Sequence, residues 1–583
     1  MLRASRVRAA LIRSLVLGTA AVTTTVTVSS LLVGCQDENQ PEYWVEKLED
    51  PKWRPRAVKR LTQFLDDALT KAGGDMKAKE VVDLENKLVL PLTDVYVKSY
   101  GELDTQTRVH LIKLLADFRD ERAIPALKTA FEEFAKRPRK TTDEADIKWA
   151  VRAYGEMKSK ELAPSVIKAF EKLEAHTQLG GITYRDYSEA MVAAPSADWA
   201  GTLVTFLGQE VKDPSQAKTK EQAKDQIEPF RDQQFWQVTS AQVLGELKDT
   251  AAVEPLLKVL LTPAKGSLAT TALLALVKIG KPSVDRAIKM LNADDPLVKF
   301  HIAELKKAGG EEPKGNPALP IAAAVIGMAG RPEGIPALIA VLNEKIEDKD
   351  KALVARELAK IPATAESKEA FKKAFESIPL ETSVQGTPAL ALLAEAAGQF
   401  YDPTLIDWLL SRAESTKGGG EEMTALQQGL VMTALKLAKP EQWDQVSAAA
   451  KKYHMEDLVK GGDAVVKSCG DKVACYLAAI EDSKNQDQAN QLAGIKAGYM
   501  LGVLGNASTR DSLLDALNSI DNASIRFVAA QTIDYLTPKG DPAVVEKLNA
   551  IIAKNKKSAD TEKAAGDTPL QQVAYRLHAR GAS

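Results

Sequence analysis

Leu244-Gly245-Glu246-Leu247-Lys248-Asp249-Thr250-Ala251-Ala252-Val253-Glu254-Pro255-Leu256-Leu257-Lys258-Val259-Leu260-Leu261 reads as two helices joined by a polar turn. Gly245, near the end of the first helix, leaves room for a neighbouring backbone. Lys248-Asp249-Thr250 supplies the turn. Pro255 suits the first turn of the second helix, where its missing N–H costs little. Leu257, Leu260 and Leu261 then fall on one apolar face at helical spacing.

The same arrangement recurs along the chain. A pair ending in a small residue stands nine or ten positions before a Pro in Leu115-Ala116/Pro125, Tyr154-Gly155/Pro164, Ile326-Gly327/Pro336 and Leu393-Ala394/Pro403, and before Ser512 in Leu501-Gly502. In the proline copies an apolar pair begins five residues later, as in Ala130-Phe131, Ala169-Phe170, Val341-Leu342 and Trp408-Leu409. Leu358-Ala359 and Ala434 begin weaker copies. A chain of 583 residues ordinarily divides into several globular domains. Yet only short interruptions such as Gly418-Gly419-Gly420 and Gly461-Gly462 break the pattern. A continuous array of helical hairpins, about 30–45 residues each, reconciles the length with the missing linkers. The composition, 45% hydrophobic with 5% aromatic residues and rich in Ala and Leu, suits helices packed through small side chains. The apolar stretch Ala318 to Gly330 contains Pro320 and is short for a membrane span, so it reads as a buried helix.

These copies resemble the HEAT family of helical repeats over most of residues 46–583. The resemblance implies an all-α fold: an α-solenoid of HEAT-like helical hairpin repeats, an α-α superhelix of armadillo type, right-handed and with about 12 hairpins. It also implies a polar ladder between stacked repeats, in which an Asp before a helix is followed several residues on by an Arg or Lys. Asp521 with Arg526 and Asp295 with Lys299 fit that spacing. The polar stretch 554–568 reads as a mobile loop.

The N-terminus carries a separate message. Arg3, Arg6, Arg8 and Arg13 precede residues 14–34, which carry no charge, and Leu32-Val33-Gly34-Cys35 closes the run. This looks like a bacterial lipoprotein signal. On that resemblance residues 1–34 are a signal peptide, Cys35 receives the lipid, and residues 35–45 form a lipidated tether. Residues 46–583 form the repeat array. Gln36, with neither Asp nor Lys in its place, favours the outer membrane and its periplasmic side. Removing four arginines and no acids takes the net charge from −2 to −6, which argues against nucleic acid as a partner.

In an exported chain, Cys469 and Cys475 should oxidise to a disulfide that staples a helix–helix turn, with Gly470 ending one helix and Asp471 capping the next. His110, His176, His301, His454 and His578 have no His or Cys at metal-ligand spacing, so neither a metal nor another cofactor is expected. No Gly-x-Ser-x-Gly, Walker loop or dinucleotide fingerprint occurs. Lys128, Lys168 and Lys258 stand at similar levels of their second helices. Stacked repeats would place them on one concave wall able to meet an acidic partner or lipid headgroups. Ala340 interrupts the row. Trp149 and Trp236, at the front of repeat helices, read as core residues.

The sequence therefore predicts a membrane-anchored, noncatalytic scaffold of the bacterial cell envelope, binding an envelope protein or protein complex. Some bilin-lyase-related proteins carry HEAT-like repeats, so an accessory or lyase-like protein with a pocket site is the first alternative. A structural envelope component is the second. Convergent polar groups in a closed pocket would favour the former, and an open groove the scaffold.

Overall fold

The structure, a computed structural model, describes residues 38–136, 145–175, 180–416, 420–482, 488–520, 522–557 and 561–581. Cys35 and the signal at 1–34 lie outside them. Contacts divide the chain into two compact units, residues 1–91 and 92–583, where one array over 46–583 was expected. Pro91, which has no N–H to give its helix, stands at the division.

The first unit holds α1 (Pro41–Glu46), α2 (Arg54–Lys71) and the first part of α3 (Lys79–Ser99). Pro41 opens α1 at its first turn, and Trp44 is buried with its Nε1 donating to the Glu38 carbonyl at 2.8 Å. The tether expected over 35–45 is thus shorter, because a buried indole fixes the chain from Glu38 onward. On α2, Ala57, Val58, Leu61 and Leu65 are buried; its other face carries Arg56, Lys59 and Arg60 in the first half and the exposed Asp66 and Asp67 after them.

The second unit runs as successive helix pairs: α4 (Thr105–Phe118) and α5 (Ile124–Lys136), α6 (Ala145–Met157) and α7 (Ala163–Phe170), α8 (Gly180–Ala193) and α9 (Ala200–Gly208), α10 (Lys220–Leu247) and α11 (Val253–Leu261). Then α12 (Ala269–Ile279) is followed by α13 (Lys281–Met290) and α14 (Pro296–Lys307). The pairs resume with α15 (Leu319–Ala329) and α16 (Gly334–Leu342), α17 (Asp348–Ala359) and α18 (Ala365–Ser377), α19 (Ala389–Ala397) and α20 (Ile406–Ser415). After α21 (Glu421–Leu437) and α22 (Pro440–Lys452) come α23 (Glu456–Cys469) and α24 (Val473–Asp482), α25 (Gln488–Leu504) and α26 (Ala507–Ala516), α27 (Ala523–Tyr535) and α28 (Pro542–Lys557), and finally α29 (Thr561–Gly581). Two-residue strands, Ser383–Val384 and Thr387–Pro388, form the one β-ladder among the described residues. The fold is an all-α, HEAT-like solenoid, as the sequence predicts.

First helices pack on first helices, α4 on α6, α6 on α8, α10 on α12, α15 on α17, α25 on α27 and α27 on α29. The small residues make this possible. A Cβ on Gly155 would lie 3.0 Å from the Ala190 Cα, one on Gly245 2.9 Å from the Ala275 Cα, and one on Gly327 2.7 Å from the Glu357 carbonyl oxygen. Real Cβ atoms do not approach backbone so closely, so glycine sets the helix spacing.

Ion pairs do run between stacked repeats, on residues only partly those singled out in the sequence. Arg526, 1% exposed, bonds the Leu517 and Ile520 carbonyls and Asp567 of α29. Asp521 lies outside the described residues. Asp295 pairs with Arg286 at 2.9 Å, while Lys299 reaches only Asp294 at 3.8 Å. Arg108 on α4 to Asp146 on α6 (3.3 Å) and Arg152 on α6 to Asp186 on α8 (3.0 Å) repeat the cross-repeat form. In the Arg108, Arg152 and Arg526 pairs the partner is an acid of the following repeat.

The stretch 554–568 is not a loop in its described part: 554–557 close α28 and 561–568 open α29. Its polar composition is compatible with helix because Asp567 is buried against Arg526 and Asn555. Among the described residues no single helix is long and apolar enough to cross a membrane. One bent pair, Thr250–Leu261 with Pro263–Ile279, passes by length and composition only, and its Leu256, Leu257 and Leu276 are core residues. The Ala318 to Gly330 stretch is α15, buried as expected.

Candidate functional site at the closure of the array

The second unit does not present an open groove along its whole length. Its last helix, α29, packs back against α12 and α15 as well as α27 and α28. The row that meets itself is the row of first helices, so the second helices lie on the other side of the array.

Arg576 and Arg580, one turn apart on α29, make the closure polar. Arg576 donates through Nη1 to the Gly327 and Met328 carbonyls (3.1 and 3.3 Å) and through Nη2 to the Lys360 carbonyl (2.5 Å). Arg580 donates to the Gly330, Asp534 and Thr537 carbonyls at 3.1, 3.0 and 3.2 Å. These acceptors lie at or just beyond the C-terminal ends of α15, α17 and α27. Such ends carry unpaired carbonyls and partial negative charge, which guanidinium groups complement. Asp534 bridges both arginines, 3.1 Å from Arg576 and 2.7 Å from Arg580. Burial pushes the Arg580 pKa down, against the pull of Asp534. Arg331 returns the contact through the Ala579 carbonyl. Gly330 is required twice: its φ is +65°, and a Cβ would lie 2.9 Å from the Arg580 Nε.

Beside this closure lies a chamber of about 800 Å³, lined by Lys360, Lys368, Tyr401, Asp402, Phe527, Gln531, Asp534, Tyr535, Gln572 and Arg576 among others. Tyr401 follows the short turn after α19 with φ +48°, an unusual conformation for a bulky residue. Its buried ring stacks between Tyr499 of α25 (centroids 5.5 Å) and Tyr535 of α27 (4.5 Å), and its hydroxyl meets Thr532 at 3.2 Å. The Tyr401 ring occupies the space a Cβ on Gly502 would fill. Burial raises the pKa of all three phenols, that of Tyr499 to about 12, so they stay neutral near pH 7.

The charged groups of the chamber are engaged. Lys368 pairs with Asp402 at 2.5 Å, and Lys360 with Glu357 at 2.6 Å. Burial works to raise the Asp402 pKa, but the hydrogen bonds from Lys368 and Thr404 hold it below the usual carboxylate range. Burial lowers that of Lys360, with Glu357 opposing. The arrangement offers neutral aromatic surface, three glutamine amides and the exposed Phe527 to a ligand.

The structure places the residues singled out in the sequence as follows. Lys128, Lys168 and Lys258 sit on α5, α7 and α11, in the second row, away from the face that closes. The row is not continuous, because α9, which carries no charge, packs beside α11. Lys258 lies over the Phe300 ring at 5.6 Å and borders a separate 520 Å³ cavity between α9, α11 and α14. Cys469 and Cys475 are joined in the structure with Cα atoms 5.3 Å apart. Gly470, at φ +54°, ends α23 between them. Trp236 is core, its Nε1 donating to the Phe170 carbonyl at 3.1 Å. Trp149 is instead half-buried under Lys113, Lys148 and Arg152. His301 is buried against the Leu261 carbonyl, and no metal-binding cluster occurs among the described residues.

Sequence reasoning missed Asp534, Arg576, Arg580 and the tyrosine stack. The only local signal was the one-turn spacing of Arg576 and Arg580; the acceptors at Gly327, Met328 and Gly330 are backbone groups about 250 residues away.

The family model described as PBS lyase HEAT-like repeat matches residues 236–262. That span covers the end of α10 from Trp236, the turn at Asp249 and all of α11. No curated protein matches the chain. The chain carries a repeat similar to those of that family, on the hairpin that contains Gly245 and Pro255.

Proposed function

We propose that this chain is a noncatalytic interaction scaffold of the bacterial cell envelope, lipid-anchored through Cys35 and holding an envelope protein or protein complex near the membrane. The anchor places it on the periplasmic side, with the outer membrane favoured by Gln36. The observation that carries the noncatalytic part is the engagement of the chamber's charged groups. Arg576, Arg580, Lys360, Lys368, Asp402 and Asp534 are all held in ion pairs or on helix-end carbonyls, which supports a frame rather than an acid–base site. Oxidation of Cys469 and Cys475 belongs to the same reading, because the periplasm keeps such pairs oxidised.

The test is site-specific photo-crosslinking in intact cells from Lys128, Lys168 and Lys258, with Gln531 in the chamber as a contrasting position. The scaffold reading predicts that neighbouring second-row positions capture the same envelope protein. Failure of every second-row position to capture a specific protein would remove it. A second reading, an accessory protein that holds a small ligand, is favoured by the 800 Å³ chamber. A ligand that copurifies with the native chain and is lost in Gln531→Leu would support it.

A further inference from the structure

The first unit carries a surface that the scaffold reading leaves unused. From Pro51 to Leu65 the chain has five basic residues and no acid. Arg54 is buried, its Nε donating to the Leu48 carbonyl at 2.7 Å. The others face outward. Arg56, Lys59 and Arg60 share one face of α2, opposite Ala57, Val58, Leu61 and Leu65, and Lys52 is exposed just before the helix.

Aromatic rings are interleaved with these cations. Trp53 is 36% exposed. Arg56 lies over both Trp53 (5.5 Å) and Trp44 (5.4 Å), Lys47 over Tyr43 (5.2 Å) and Trp53 (5.9 Å), and Arg60 over Phe64 (4.9 Å). Amphipathic rings beside cationic heads suit the headgroup layer of a bilayer, where Trp and Tyr concentrate and Lys and Arg meet lipid phosphates.

Distance to the anchor supplies the occupant. The Glu38 carbonyl is held by the Trp44 indole, and Cys35 stands three residues before it. Three extended residues span about 10 Å. A lipid on Cys35 therefore keeps Trp44, and the Arg56 stacked on it, close to the headgroups.

We propose that Lys47, Lys52, Trp53, Arg56, Lys59 and Arg60 form a docking face for the anionic phospholipid surface that carries the anchor. The geometry rests on Cys35 being lipidated, but the chemistry of the face does not. Docking gives the anchored chain a fixed attitude instead of a free swivel, and adds electrostatic attraction to the lipid's hydrophobic hold.

The test separates the two claims by using the chain from Gln36 to Ser583, which lacks only the anchor cysteine of the mature form. Its partitioning is measured on vesicles of phosphatidylcholine alone and of phosphatidylcholine mixed with phosphatidylglycerol. The expected result is binding to the anionic vesicles only, falling as salt rises. Arg56→Glu with Lys59→Glu should lower it by at least about 25-fold, at about fivefold per basic residue. Both side chains are exposed, and an unchanged circular dichroism spectrum confirms that the variant folds. Trp53→Ser should lower it severalfold. Equal binding to both vesicle types, no binding to either, or a charge-reversed variant that binds like the parent overturns the proposal. Because no lipid anchor is present, none of these outcomes depends on whether Cys35 is modified in the cell.

Discussion

Asp534→Ala probes the closure of the array at its most connected point. The carboxylate bridges Arg576 and Arg580, whose side chains are 9% and 1% exposed, at 3.1 and 2.7 Å. Removing one partner of a buried, hydrogen-bonded ion cluster costs about 3–5 kcal/mol, because the remaining charge stays buried. Here each guanidinium keeps carbonyl acceptors: Gly327, Met328 and Lys360 for Arg576, and Gly330, Asp534 and Thr537 for Arg580. These offset part of the loss, so the lower figure, about 3 kcal/mol, applies. The effect should be local, since a repeat array opens unit by unit from its ends. Hydrogen exchange read peptide by peptide is the assay. Amides of α29 and of the last turn of α15 should exchange about 100-fold faster than in the parent, with α4 to α8 unchanged. Asp534→Asn, which keeps an oxygen acceptor and loses the charge, should fall between. Exchange in α29 within about threefold of the parent would refute the reasoning, and would mean that apolar packing of α29 alone closes the array.

Two further outcomes follow from the packing and the electrostatics. Gly245→Ala places a Cβ 2.9 Å from the Ala275 Cα, whereas Gly201→Ala on α9 meets nothing within 4 Å; the first should destabilise by about 1 kcal/mol net of its better helix propensity and the second should stabilise by up to about 1 kcal/mol, measured by urea unfolding. Asp402 has a folded-state pKa below its unfolded value of 3.8, so its stabilisation is complete above that value and fades as the pH falls toward the folded pKa; Asp402→Asn should lower Tm at pH 7 and flatten the loss of Tm on acidification below about pH 4, and an acid limb parallel to the parent's would contradict the Lys368–Asp402 pairing.

The repeats were legible because their physics is local. Gly155, Gly245 and Gly327 mark close helix crossings, and Pro125, Pro164, Pro255 and Pro336 lie in first turns or the short turns just before them, so spacing alone carried the hairpin pattern. The interval between Pro164 and Pro255 is long enough for a second pair, α8 and α9, but its helices were not legible individually, because the second begins at Ala200 behind Trp199 without a proline. The closure was illegible for a different reason. Arg576 and Arg580 are ordinary basic residues on a helix face, and apart from Asp534 what they bind is backbone carbonyl, which no side chain announces. Tyr401 depends likewise on an absent side chain at Gly502, a hundred residues on. The stretch 554–568 was misread because its polar residues suggested solvent, whereas Asp567 is polar and buried against Arg526.

The envelope scaffold reading depends on where the chain is held, so the most direct measurement is the mass of the N-terminal peptide of the protein purified from the membranes of its own cells. The account predicts a peptide that begins at Cys35 and carries a diacylglyceryl group on its thiol, with residues 1–34 absent. A peptide that retains residues 1–34, or one that begins elsewhere with an unmodified Cys35, would contradict it.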